Sequence, residues 1–332
     1  MLDPISPEEA VQSYLDSRTD LSQSSFENHM YRLQRFKEWC DEVGMKNMNE
    51  ITGRKLHQYK VWRAEDVNNV TLKNQLGTVR LFLRFCEDIE GVPSGVSEKL
   101  ELPELGVADE VNDTVITEKE ATAIRIHLGK YEYAGLRHVI FEVLWHTGIR
   151  TSTLQAFDVD DFCPDEGYIE AVHRPETGTL LKNRVRGERE INLGDDTAEV
   201  IDDWIETNHP RVEDGNDRMP LIATKQGRAH KTTIRDHIYR VTRPCYYLRS
   251  CPHDRDIDDC DAAYSKQASK CPSSVSPHAI RKGAITLHRN NGWPAKAVSD
   301  RVDVSQEVLD KHYDKGTKSQ KRERRKEFLS KL

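Results

Sequence analysis

Between residues 6 and 90 apolar side chains return every three or four positions while polar ones fill the gaps, the period of helices with one buried face. The stretch SPEEAVQSYLDSR opens with Ser6, Pro7 and Glu9, an N-cap and a first-position proline ahead of the stripe Val11, Tyr14 and Leu15. SQSSFENHMYRLQRFKEWCDEVG carries Phe26, Met30, Leu33, Phe36, Trp39 and Cys40 on one face and stops at Gly44. TGRKLHQYKVWRAE and NVTLKNQLGTVRLFLRFCEDIEG repeat the pattern, which predicts a four-helix, all-α bundle over residues 1–91. Arg32, Arg35, Lys37, Arg54, Lys55, Lys60, Arg63, Lys73, Arg80 and Arg84 recur on the other faces, as on a solvated helix surface or a basic binding face.

The period then fails. Prolines, glycines and weak patterning from Val92 to Asp113 predict a linker, and a second domain over residues 114–332. It begins on a capping box, Thr117 with Glu120, followed by a strongly apolar helix, a turn at Thr147 and Gly148 and a new helix starting at Arg150. GYIEAVHRP and REINL alternate as strands, with the connection TGTLLKNRVRGE between them carrying Lys182, Arg184 and Arg186, and Arg189 just beyond. DTAEVIDDWIETNHP and GRAHKTTIRDHIYRVTRPCYYL read as two further helices. The expected fold class is therefore mainly α with a small β-sheet: a helical bundle, then a mixed α+β domain.

Composition narrows the classes. With 49 Lys and Arg against 56 Asp and Glu the net charge is −7, so a nucleic-acid surface must be a local concentration of cations. Asp-rich patches such as GDDTAEVIDDW are compatible with a salt-rich cell interior. No run reaches the length of a membrane span and the N-terminus has no basic start before an apolar block, from which a cytoplasmic protein is expected.

The chemistry-bearing residues concentrate in SPHAIRKGAITLHRNNGWPAKAVSDRVDVSQEVLDKHY. His278 and Arg281 lie one helical turn apart and face one spot; Tyr313 closes the stretch beside Lys311 and His312. A proton-moving base, an arginine fork for an oxyanion and a hydroxyl nucleophile are the parts needed to attack a phosphodiester. Arg150, at a helix N-terminus where an anion is already favoured, adds a second fork.

Taken together, HTGIRTSTLQAFDVDDF, PHAIRKGAIT and SDRVDVSQEVLDKHYD resemble, in order and spacing, the three boxes of the tyrosine recombinases, or phage-integrase family. The hairpin TGTLLKNRVRGEREINL is similar to the family's lysine-bearing turn, and the helical first domain to the core-binding, SAM-like domain of Xer-type and phage integrases. The resemblance implies site-specific cutting and rejoining of DNA, with Arg150 and Arg281 clamping the scissile phosphate, His278 moving a proton, Lys182 protonating the leaving 5′ oxygen and Tyr313 forming a 3′-phosphotyrosyl link. It implies double-stranded DNA as partner, a homotetramer on DNA closing as C-shaped clamps, and no metal or nucleotide cofactor for catalysis. Three positions depart from the family's pattern. Thr153 stands where an acid often follows the first arginine, and Lys282 where a histidine often follows the second. Ser299, Asp300 and Arg301 align with Leu-Gly-His of the closing box, leaving Arg301 as the phosphate donor and His312 as a substitute base.

Seven cysteines without a secretion signal read as reduced thiols. Cys245, Cys251, Cys260 and Cys271 crowd into an insert over residues 245–271, where four thiolates suit a structural zinc. Two other classes follow from these features: a catalytically impaired DNA-binding module, favoured by the altered closing box, and a zinc-dependent interaction protein centred on the insert. The basic tail DKGTKSQKRERRKEFLSKL is expected to be helical and to dock on a neighbouring protomer or on DNA.

Overall fold

The structure is a computed structural model and describes residues 2–106, 114–314 and 316–326, apart from the side chains of Ser265 and His312. The His312 substitution and the last six residues of the tail thus lie outside the described residues. The chain divides into two compact units, Met1–Asn112 and Asp113–Leu332.

In the first unit four helices form where the apolar period predicts them: α1 (Pro7–Ser17), α2 (Gln23–Glu42), α3 (Gly53–Ala64) and α4 (Asn69–Asp88). Ser6, Ser22, Thr52 and Asn68 each accept a first-turn amide through the side chain, and Ser6 with Glu9 completes a capping box. Leu33, Phe36, Trp39, Tyr59, Leu76 and Phe82 fill the centre, with Phe36 edge-on to Tyr59 at 5.2 Å between ring centroids. The expected linker over residues 92–113 is corrected in its first part, while residues 107–113 lie outside the described residues. Val92, Val96 and Leu100 are buried in this same core, Ser97–Lys99 forms a 3-10 turn, and Arg80 Nε donates to the Leu100 carbonyl at 3.1 Å. The prolines and glycines of this stretch set its turns, but apolar residues four apart still have a face to bury.

The second unit is built around α6 (Leu136–Thr147), buried on nearly every side, with α5 (Glu118–Tyr131) leading into it. Gly148 ends α6 in the left-handed conformation (φ 66°), and the short α7 (Thr151–Ala156) follows. A three-stranded antiparallel sheet comes next, β1 (Phe162–Cys163), β2 (Tyr168–Ala171) and β3 (Arg189–Asn192), with Ile169 opposite Ile191 on the core face. After α8 (Asp195–Asp203) and the small hairpin β4 (Ala223–Thr224) and β5 (Gly227–Arg228), the basic stretch expected as one helix splits into α9 (Lys231–Val241) and α10 (Pro244–Leu248). Pro244 has no amide to continue α9, so it starts a new helix instead.

The carrier of the second box is α11 (Pro277–Asn290), packed on α6. Its approach depends on Gly283: a Cβ there would stand 2.5 Å from the Ile116 carbonyl oxygen and 2.8 Å from the Trp145 ring. Then α12 (Ala295–Val302), α13 (Gln306–Val308) continuing through a wide π turn Leu309–Tyr313, and α14 (Lys318–Lys326) complete the unit. Among the described residues no helix is long and apolar enough to cross a membrane.

Candidate active site

Two helix starts meet at one cleft. Ile149, Arg150, Thr151 and Ser152 from the beginning of α7, and Pro277, His278 and Arg281 from the beginning of α11, line a cavity of about 220 Å³. Arg281 is only 2% exposed, and its Nη1 donates to the Gly148 carbonyl at 2.8 Å, so the turn before α7 is tied to the side chain that faces it. Its Nε and Nη2 are buried without a well-aligned hydrogen-bond partner among the described residues, with the Tyr313 side chain the polar group beside them. Burial, with the charges of Arg150 and Arg189 adding to it against the opposing pull of Tyr313, brings this guanidinium down to about 10, which leaves it charged at neutral pH. A buried cation among like charges is stabilised by the arrival of an anion.

Tyr313 sits at the end of the π turn, 9% exposed, in a small separate core with Ile285, Val298, Val302 and Leu309. Its carbonyl accepts from Thr286 Oγ1 at 3.2 Å. The guanidinium carbon of Arg281 lies 4.9 Å from the centre of the Tyr313 ring, and the His278 ring meets the same ring edge-on at 5.3 Å. His278 keeps an exposed edge, yet burial of the rest of the ring and the surrounding Lys282, Arg281, Lys182 and Arg150 push it down to about 4. It is therefore a neutral imidazole at working pH, able to accept a proton. Lys182, exposed on the connection between β2 and β3, is one of the four cations that His278 feels.

The structure thus brings Arg150, His278, Arg281 and Tyr313 together, with Lys182 at the margin, and turns Arg301 away. Arg301 Nη1 donates to the Asn192 carbonyl (2.8 Å), Nη2 to that of His146 (3.3 Å), and the guanidinium stacks over Trp293. It is a brace between α12 and β3, and the expected phosphate donor is corrected accordingly. The register of the closing box shifts with it. α12 ends at buried Val302, and Asp303 takes the left-handed conformation (φ 55°, ψ 63°) in which a helix-stopping glycine is usual. Leu-Gly-His therefore matches Val302, Asp303 and Val304, three residues beyond the triplet chosen from sequence, and the histidine's place holds a side chain that cannot donate.

Two residues near the site, Asp303 and Asn183, escaped the sequence reading, and a third, Arg189, was read only as part of the basic connection. Asp303 Oδ2 pairs with Arg150 Nη1 at 2.5 Å, and its Oδ1 accepts from Asn183 Nδ2 at 2.7 Å. Arg189, the first residue of β3, donates through Nε to the Arg301 carbonyl at 2.8 Å. The only sequence signal for Asp303 was its place after the last apolar residue of α12, where a helix stop belongs.

The four cysteines of the insert lie on separate short segments. Cys245 lies on α10, Cys260 precedes a 3-10 turn (Asp261–Ala263), Cys271 is buried after a second one, and all seven cysteines are free thiols. Among the described residues no three His, Cys, Asp or Glu side chains stand close enough to hold a metal ion, although Cys245 feels both Cys251 and Cys271. The amide of Ala262 and the nearby Arg255 hold the Cys260 thiol below the usual thiol range.

Two arginine forks, a histidine and a tyrosine packed against them thus stand together in one part of the fold. The family model described as "Phage integrase, N-terminal SAM-like domain" matches residues 10–88. Over the length of the chain, the fold is similar to that of the Tn1549 transposon integrase in complex with a circular intermediate DNA, at 13% identity with a TM-score of 0.71, covering 98% of this chain and 99% of that one. It is also similar to lambda integrase (residues 75–356) bound to DNA, at 13% identity with a TM-score of 0.62, covering 95% and 98%. The N-terminal domain of a phage integrase/site-specific recombinase from Haloarcula marismortui is 35% identical over 30% of this chain and 99% of that one, with a TM-score of 0.30. A search of curated proteins returned no match. The N-terminal domain of the chain belongs to the phage-integrase SAM-like family, and the chain over its whole length has the fold of the integrases.

Proposed function

We propose that this protein is a site-specific recombinase that cuts and rejoins double-stranded DNA through a phosphotyrosyl intermediate. The observation that carries the reading is the buried Arg281, which lines one cleft with Arg150 and His278 and lies against the Tyr313 ring. A scissile phosphate in that cleft would meet the two guanidinium groups, whose charge is fixed at any working pH. Tyr313 Oη attacks phosphorus as its proton passes to the neutral His278, and the P–O5′ bond breaks as the Lys182 ammonium protonates the departing 5′ oxygen. The product is a 3′-phosphotyrosine and a free 5′ hydroxyl, and attack by a 5′ hydroxyl of another strand reverses the step. Every proton and charge in this scheme is handled by side chains, with no metal or nucleotide cofactor. Exchange between two duplexes requires four such sites, hence a tetramer assembled on DNA.

The test is covalent trapping. Wild type and Tyr313→Phe are incubated with nicked duplexes taken from the gene's own flanking DNA and then denatured. A protein–DNA adduct in wild type that disappears in the Phe variant supports the scheme. Binding without any adduct would move the chain to the DNA-binding modules, where the loss of the closing-box histidine would be the cause.

A further inference from the structure

Resting on that reading, we propose that Asp303 is the positioning residue of the site: it holds Arg150 in place for the phosphate and couples it to the connection that bears Lys182. The need for such a residue is clear from the charges around it. The charge of Arg150 bears on both Arg189 and Arg281, and the position three residues after Arg150, on its own helix, is Thr153, a neutral side chain buried in the core. An unrestrained guanidinium among like charges swings outward. Asp303 supplies the acid from the other end of the domain's sequence.

Its geometry fits this task closely. The carboxylate uses one oxygen for Arg150 Nη1 and the other for Asn183, next in sequence to Lys182. The Arg150 and Asp303 side chains are 17% and 12% exposed, so solvent screens the pair little. Among the described residues Asp303 engages one arm of the guanidinium, and Arg150 still lines the cleft. Gly187 lies so close that a Cβ there would be 3.3 Å from the same carboxylate oxygen. The backbone carrying Asp303 is latched to the sheet by reciprocal bonds, Arg189 to the Arg301 carbonyl and Arg301 to the Asn192 carbonyl.

A role in ending α12 does not explain the side chain. The cap bonds of α12 run from the Asp303 amide to the Asp300 and Ser299 carbonyls, and any residue that accepts the left-handed conformation would make them. Glycine would do so with less strain. An aspartate kept at a conformation that favours glycine, with both oxygens spent on the active-site margin, marks the site as the reason for its presence.

Asp303→Gly and Asp303→Asn separate the two roles in the full-length protein. The Gly variant loses the pair but suits the left-handed conformation, so it should remain folded and melt within about 5 °C of wild type, bind flanking duplex DNA within about threefold of wild type, and form the Tyr313 adduct about 10- to 100-fold more slowly, the loss expected when a catalytic group is displaced by about an ångström. A Gly variant that cuts at the wild-type rate, or loses cutting only in proportion to DNA binding, would overturn the proposal. A readout without DNA chemistry stands beside it: the 15N guanidinium resonance of Arg150, identified by its loss in Arg150→Lys. Restricted rotation in wild type that becomes free in Asp303→Gly is expected. Equal mobility in both refutes the pairing even if wild type proves unable to form an adduct.

Discussion

At the scale of single residues, two of the histidines that burial pushes down, a set that also includes His237, illustrate the pH behaviour. His278, pushed down to about 4 by burial and four neighbouring cations, is neutral throughout the working range. The rate of adduct formation should therefore show no break near pH 6.5, and His278→Gln should lower it by about 10²- to 10⁴-fold. An inflection at pH 6 to 7 that vanishes in the Gln variant would contradict this assignment. His146 accepts the Gly194 amide through Nε2 at 3.0 Å, and burial, then the charge of Arg301, push it down to about 4 as well. Its folded value lies below the ordinary 6.5, so the unfolded chain binds more protons between those values. Stability is complete above pH 6.5 and is lost as pH falls toward 4; melting temperatures measured across that window should drop in wild type and drop less in His146→Gln.

Among the elements, α11 is the one on which most depends, since it presents His278 and Arg281 at its start and receives the Tyr313 segment near its end. Gly283→Ala would push a methyl into the Ile116 carbonyl and Trp145, with an expected loss of about 1 to 3 kcal/mol in denaturant unfolding. A neutral result would mean that α6 and α11 slide apart more freely than their packing indicates. Asp314, immediately after the nucleophile, shows a second restraint. Burial pushes its carboxyl up, but the hydrogen bond and charge of Arg324 outweigh it and hold it below the usual range; the pair is 2.6 Å apart, and Arg324 also reaches Asn290. Arg324→Ala leaves that acid buried without its partner, and a destabilisation of about 3 to 5 kcal/mol is expected.

For the molecule as a whole, a net charge of −7 sets the terms of DNA binding. Long-range attraction is weak, so affinity comes from local cations meeting phosphates and must carry the salt dependence of counterion release. For a protein making six to ten such contacts the affinity falls about 10³- to 10⁵-fold between 50 and 200 mM salt. Titration of a labelled flanking duplex across that range measures the slope. A flat response would place the energy of binding elsewhere than on the phosphates.

Local order in this chain is written in local order of the sequence. The helices of the first unit, their caps at Ser6 and Asn68, and the strand pair around Ile169 and Ile191 follow from apolar period and cap chemistry, which act over a few residues. The same holds for Arg150 and His278 as first-turn residues of their helices. What the tertiary structure alone decided involves partners distant in sequence. Val92, Val96 and Leu100 look like linker until a bundle offers them a face, and Arg301 looks like a phosphate ligand until β3 and Trp293 claim it. Asp303 becomes the counter-ion of Arg150, 153 positions away, only because α12 ends beside α7 and the β2–β3 connection. Periodicity reports which face of an element is buried; which charge meets which depends on where elements stop and how they are turned, and that is set by the packing of the whole domain.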